Sequence, residues 1–203
     1  MQARWVASAA GLGTVVALGT HGAPPPQGSS GRPAAPVFAG DSVIRPDGIE
    51  RWVLAGASLG LGYDEPSGAD AAGPAAAAAG RLFHNVYIEP GAYEHFARTG
   101  RFAEGTMLAL ALYVPREKVA PSRQGLFEGE RVAVELAVKD SRRFPGGWAY
   151  FNFGDAPGGA RARPLPREAC ERCHARHAAD DHVFVQFYPV LRPHSAAFRR
   201  RMP

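Results

Sequence analysis

The chain has 203 residues, enough for one domain with extensions, and its 46% hydrophobic and 21% charged composition supports a packed core and excludes global disorder. The formal net charge is +4, carried mostly by arginine, with Lys118 and Lys139 as the only lysines. No basic face with interleaved aromatics accompanies that charge, so nucleic acid is not an expected partner.

In chain order, Arg4 precedes an apolar, acid-free stretch from Trp5 to Gly19, and Thr20-His21-Gly22-Ala23 offers small residues for cleavage. This pattern predicts a secretory signal peptide over residues 1–23, with export to the periplasm and no stable membrane span after its removal; a retained anchor is the alternative. Residues 24–40, including Pro24-Pro25-Pro26, read as a disordered Pro/Gly/Ser linker. The folded domain is expected over residues 41–195, interrupted by a low-complexity Ala/Gly insertion at 67–80 and followed by a basic tail at 196–203.

Asp47 is a candidate cap for a short helix through Ile49, Trp52 and Val53. Leu54 to Tyr63 is apolar and broken by glycines, more strand or loop than helix. Leu82 to Ile88 is rich in aromatic and β-branched residues and predicts a strand. Glu89-Pro90 then opens a helix with proline at its first position, Tyr93, Phe96 and Ala97 form its apolar stripe, and Gly100 supplies a left-handed stop. Thr106 to Val114 is a continuous apolar run of strand length. From Arg131 to Asp140, Val132, Val134, Leu136 and Val138 alternate with Glu135 and Lys139, the pattern of a half-buried antiparallel strand. Trp148 to Phe153 follows a Pro145-Gly146-Gly147 turn as another strand, Pro166 can start a short helix, and His182 to Leu191 reads as a closing strand. The expected class is α+β, mainly antiparallel β-sheet with a few short helices.

Cys170-Glu171-Arg172-Cys173-His174 carries the chemistry. It reads C-x-x-C-H, the attachment signature of a c-type haem. Two thiols one helical turn apart can each add to a vinyl group on one porphyrin edge, and His174 then lies beneath the ring as an axial iron ligand. One covalent haem c is the expected cofactor. A disulfide or thioredoxin-like pair is an alternative, although no βαβ pattern precedes the motif. A zinc site built from Cys170, Cys173, His174 and His177 is another, although adjacent Cys173 and His174 are poorly spaced for one tetrahedral ion.

Several blocks together resemble the cytochrome P-460 family: Phe83-His84-Asn85-Val86-Tyr87-Ile88-Glu89-Pro90, Thr99-Gly100-Arg101-Phe102, Gly105-Thr106, Trp148-Ala149-Tyr150-Phe151, and the haem motif followed by Asp181 to Tyr188. The resemblance covers roughly Ile49 to Arg192, apart from the insertion. It implies a sheet-rich fold, often dimeric, with a five-coordinate c-type haem. It also implies a position for the lysine that cross-links to the porphyrin in hydroxylamine-oxidising members, five residues after the glycine matched by Gly105. That position is Leu110 here. The resemblance is therefore to the lysine-lacking, cytochrome c′-β-like members, and hydroxylamine oxidation is disfavoured. It further places His84 beside the open iron position, with Leu110 and Phe83 as candidate apolar walls. Phe83 and His84 alternate along a strand, so at most one of them is expected to face the iron.

The leading function is a periplasmic monohaem cytochrome that binds or converts a small gas or nitrogen-oxide ligand such as NO or CO, with a redox partner protein and a homodimer as candidate associations. A six-coordinate electron-transfer cytochrome using Met107 or His84 is the alternative, and a structural zinc or disulfide module is a third. Glu168 and Asp181 flank the haem motif as candidate caps or supporting partners of the site.

Overall fold

A computed structural model describes residues 33–61 and 81–201. The signal-peptide and insertion expectations therefore lie outside the described residues, as does most of the linker. The described residues form two antiparallel sheets with three short helices, an α+β arrangement dominated by strands.

The small sheet has the order β1-β2-β8, from β1 (Phe38–Ala39), β2 (Ser42–Ile44) and β8 (Arg161–Ala162). Phe38 and Ala39, which composition groups with the linker, are thus already paired, Phe38 opposite Val43. The large sheet is a meander in sequence order: β3 (Val53–Leu59), β4 (Phe83–Ile88), β5 (Met107–Arg116), β6 (Phe127–Lys139) and β7 (Trp148–Asn152).

Both faces of the large sheet are covered, and the residue pattern shows why. Met107, Ala109, Val134, Leu136, Val138, Ala149 and Phe151 share one face and pack under the small sheet with Val43, Ile49 and Ala162. Ile88, Leu108, Trp148 and Tyr150 share the other and pack under the helices and the C-terminal segment. β5 is the central strand, so both its faces are apolar and its sequence does not alternate. β6 begins four residues ahead of the expected Arg131, because Phe127 to Glu130 pairs with the far end of β5 in an exposed arm. Val132 sits where that arm leaves the core and stays 37% exposed, unlike Val134 at 0%.

Helix α1 (Pro90–Thr99) matches its sequence signals. The Glu89 side chain accepts from the Ala92 amide at 2.8 Å, and Gly100 closes the helix at φ 69°. Only glycine suits that end, because a Cβ there would also lie 2.8 Å from the His194 carbonyl oxygen. Phe96 is fully buried and stacks on Phe102 with centroids 4.2 Å apart, and Phe102 in turn meets Trp148 edge-on. Phe96→Ala is expected to cost about 3–5 kcal/mol in a denaturant titration; a loss below ~1 kcal/mol would show that this aromatic stack does not hold α1 to the sheet.

Two expectations are corrected here. Asp47 caps no helix: Gly48, at φ 64°, precedes a single 3-10 turn over Ile49–Arg51, and Trp52 and Val53 are already extended into β3. The segment from His182 to Leu191 is not a strand. Asp181 and His182 adopt φ 40° and 61°, which turns the chain back so that Val183 bridges Asp180. A 3-10 turn over Val185–Phe187 follows. The run is apolar because Val183, Val185 and Leu191 are buried in the core cluster on this face of the sheet. Gln186 replaces the missing ladder locally, accepting from the Ala179 amide and donating to the His177 carbonyl. This C-terminal cover runs close to the sheet at Gly56, where a Cβ would meet the Phe187 carbonyl oxygen at 3.0 Å.

The basic tail is also ordered in part. Helix α3 (Ala196–Arg201) starts at buried Ser195, whose hydroxyl accepts from the Phe198 amide at 2.9 Å, and Phe198 packs on the core. Among the described residues no helix is long and apolar enough to cross a membrane.

Candidate functional site

The C-terminal cover and the large sheet enclose a mainly apolar cavity of about 110 Å³ that opens to solvent. One wall is the sheet face bearing His84, Val86, Leu108, Leu110, Glu135, Ala137, Trp148 and Tyr150. The other carries His174, His182, Val183, Phe184, Phe187 and Tyr188.

Helix α2 (Glu171–His177) brings the motif to this cavity. Pro166 sits one turn ahead of it: the Ala169 amide donates to the Pro166 carbonyl before the helix proper begins. Cys170 is the residue preceding the helix and Cys173 lies one turn on; both are half-buried, and neither is in a disulfide. The helix is anchored by Glu171, buried and bound by Arg167 at 2.9 and 3.1 Å. Arg167 holds the Glu171 carboxyl below its ordinary range.

His174 has its ring between Tyr150 and Phe184, at centroid distances of 4.5 and 4.6 Å. Burial pulls its pKa down to about 4, more than its hydrogen bond to the His182 backbone restores. The imidazole is therefore neutral at physiological pH. Nδ1 lies 2.7 Å from the His182 carbonyl oxygen, which can only accept, so Nδ1 carries the proton and Nε2 keeps its lone pair. Burial pushes the Cys170 thiol up to about 12, with the nearby Glu135 carboxyl and Cys173 adding to the rise. Two thiols outside any disulfide and a neutral imidazole whose Nε2 keeps its lone pair, beside an apolar cavity, are the donor set that a c-type haem requires.

The cytochrome P460 family model matches residues 64–185. The chain belongs to the cytochrome P460 family. Membership implies a c-type haem protein, and the donor set just described fits that group. A comparison with curated proteins gives no match.

The family resemblance drawn on the sequence names several wall residues, and the structure separates them. His84 and Leu110 line the cavity. Phe83 does not: side chains alternate along β4, and His84 and Val86 are the members of that strand that line the cavity. Met107, named above as a candidate sixth ligand, is 3% exposed within the core on the opposite face of β5. The same alternation turns it away from the cavity that Leu108 and Leu110 line. His177 does not join Cys170, Cys173 and His174 in a cluster, and among the described residues no group of three or more His, Cys, Asp or Glu side chains converges on a metal-sized point.

One wall residue escaped the sequence reading. Glu135 alternates with the apolar residues of β6, which by itself describes a solvent-facing side chain. In the fold that second face is the cavity wall, and Glu135 pairs in register with Leu110. Burial raises the Glu135 carboxyl above the ordinary carboxylate range. Asn152 donates to it at 3.0 Å from the neighbouring position on β7. The signal available in the sequence was an acid inside an otherwise apolar strand that is flanked by two other strands.

Proposed function

We propose that this cytochrome P460 family member is an exported monohaem cytochrome that binds a small neutral ligand, NO or CO, or a nitrogen oxide, at an open iron position. The observation that carries the reading is His174: packed between Tyr150 and Phe184, neutral, committed through Nδ1 to a backbone carbonyl, and set across a cavity from an apolar leucine. A c-type haem, when bound, supplies an iron that accepts one small axial ligand and exchanges one electron.

The chain's own residues divide the remaining work. Cys170 and Cys173 would hold the porphyrin edge through thioethers, and His174 would offer Nε2 to the iron. Leu110 and Val86 exclude water and bring no lysine to this wall, which favours neutral ligands and supports ligand binding over lysine-dependent hydroxylamine oxidation. Glu135 sits on the same wall with its carboxyl raised by burial above the ordinary carboxylate range. Asn152 orients that carboxyl from the outer side.

His84 also lines the cavity, and this favours one second reading: a six-coordinate electron-transfer cytochrome with His84 as the further ligand. Absorption spectra of the purified exported protein separate the two. High-spin bands that shift on adding CO to the reduced protein, or NO to either form, are expected. Sharp low-spin bands that ignore CO would replace the first reading with the second.

A further inference from the structure

The residues behind His174 form a continuous clamp. The His182 carbonyl that accepts from His174 Nδ1 belongs to a turn in which two consecutive non-glycine residues, Asp181 and His182, lie at φ 40° and 61°. L-residues in that region persist where their surroundings over-determine them, and they concentrate at functional sites. Three sets of contacts hold this turn. Backbone bonds join Val183 to Asp180 in both directions. Asp181 Oδ2 accepts from Lys139 Nζ at 2.5 Å, and Asp181 Oδ1 accepts from Trp148 Nε1 at 3.1 Å. Lys139 also donates to the Phe102 carbonyl at 2.9 Å.

Lys139 and Trp148 are directly paired across β6 and β7, so both donors are pinned to the sheet rather than to the cover. Lys139 is one of only two lysines in the chain, and its charged head is turned inward to Asp181, with 17% side-chain exposure. The pair thus ties the rigid sheet to the one backbone oxygen that orients the imidazole.

We propose that Asp181 is a positioning residue which, held by Lys139 and Trp148, fixes the His182 carbonyl against His174 Nδ1 and so sets how strongly the imidazole donates to iron. This rests on His174 being the axial ligand. A firm acceptor at Nδ1 raises the basicity of Nε2 and orients the ring. Stronger donation favours the ferric state and lowers the reduction potential, one of the levers a protein has on a haem. Loosening the clamp therefore raises the potential.

The test uses the haem-loaded full chain and three single variants. Asp181→Asn keeps the shape but removes the charge, Lys139→Met keeps the stem but removes the cation, and Trp148→Phe removes the N–H donor together with one ring of the buried indole. All three are expected to raise the ferrous-to-ferric ratio at a fixed potential by roughly tenfold, about 59 mV for one electron, and to lower the iron–imidazole stretching frequency of the reduced protein, with haem still covalently bound. A simple through-space charge effect predicts something different: loss of an anion and loss of a cation would move the potential in opposite directions. Opposite shifts for Asp181→Asn and Lys139→Met would overturn the proposal, as would unchanged potential and stretching frequency. Trp148→Phe changes no charge, and carries the test should the charged variants not fold. A wild-type protein without bound haem would overturn the axial-ligand reading itself, a distinct result.

Discussion

A chain carrying both Cys170→Ala and Cys173→Ala is expected to leave the export pathway with the mass of bare polypeptide, or with porphyrin that acidified organic solvent extracts completely. The thiols flank the first turn of α2, and no other cysteine exists in the sequence to replace them. His174 alone then offers one coordinate bond, and that bond is reversible. Stability should fall with occupancy, because a group bound only by the folded state stabilises it. A reversible ligand at a hundredfold excess over its dissociation constant contributes about 2.7 kcal/mol, and a covalent one cannot be diluted away. The cavity it leaves is walled by Val86, Leu108, Leu110 and Phe184, so water is a poor substitute. Mass spectrometry of the denatured protein and a thermal melt check the two halves. Porphyrin mass surviving in the double variant would remove the thioether assignment.

The second large effect concerns charge at the cavity wall. Burial holds the Glu135 carboxyl above its ordinary range, so it keeps its proton to higher pH than an exposed carboxyl and ionises as pH rises through that raised value. The folded state then binds more protons than the unfolded one in the window between the ordinary and the raised value. Stability from this group is complete below the ordinary carboxylate range and is lost as pH rises through the raised value. Ligand binding should follow the same sign. At a separation of about 6–8 Å and an effective dielectric near 20, a new negative charge repels an anionic ligand by ~2–3 kcal/mol. Nitrite affinity is expected to drop roughly 30- to 100-fold as pH rises through the Glu135 transition, and CO affinity to stay flat. Glu135→Gln should abolish the nitrite slope and leave CO binding intact. An unchanged slope in that variant would assign the pH dependence to another group.

The elements legible in the sequence were those whose signals are local. Glu89, Pro90 and Gly100 define α1 because a carboxylate cap, a proline at the first helical position and a left-handed glycine each satisfy a helix end by themselves. The Cys170–His174 spacing was legible for the same reason: one helical turn places both thiols and the imidazole beside a single ring. The segment after it was misread because burial and strand pairing produce the same apolar run, and only the left-handed pair at Asp181 and His182, which neither residue type announces, decides between them.

What the sequence determined by itself is the strand-rich class and the family, with the c-type haem that the family implies, since each rests on residue types at short spacing. What the tertiary structure decided is which face of each strand meets the cavity. Alternation sorts Glu135 from Leu136 and His84 from Phe83, but it cannot say which of the two sets is covered by solvent, by the small sheet, or by the C-terminal segment. That depends on contacts between residues as far apart as Lys139 and Asp181 or Gly56 and Phe187, and a strand carries no local record of what will be laid across it.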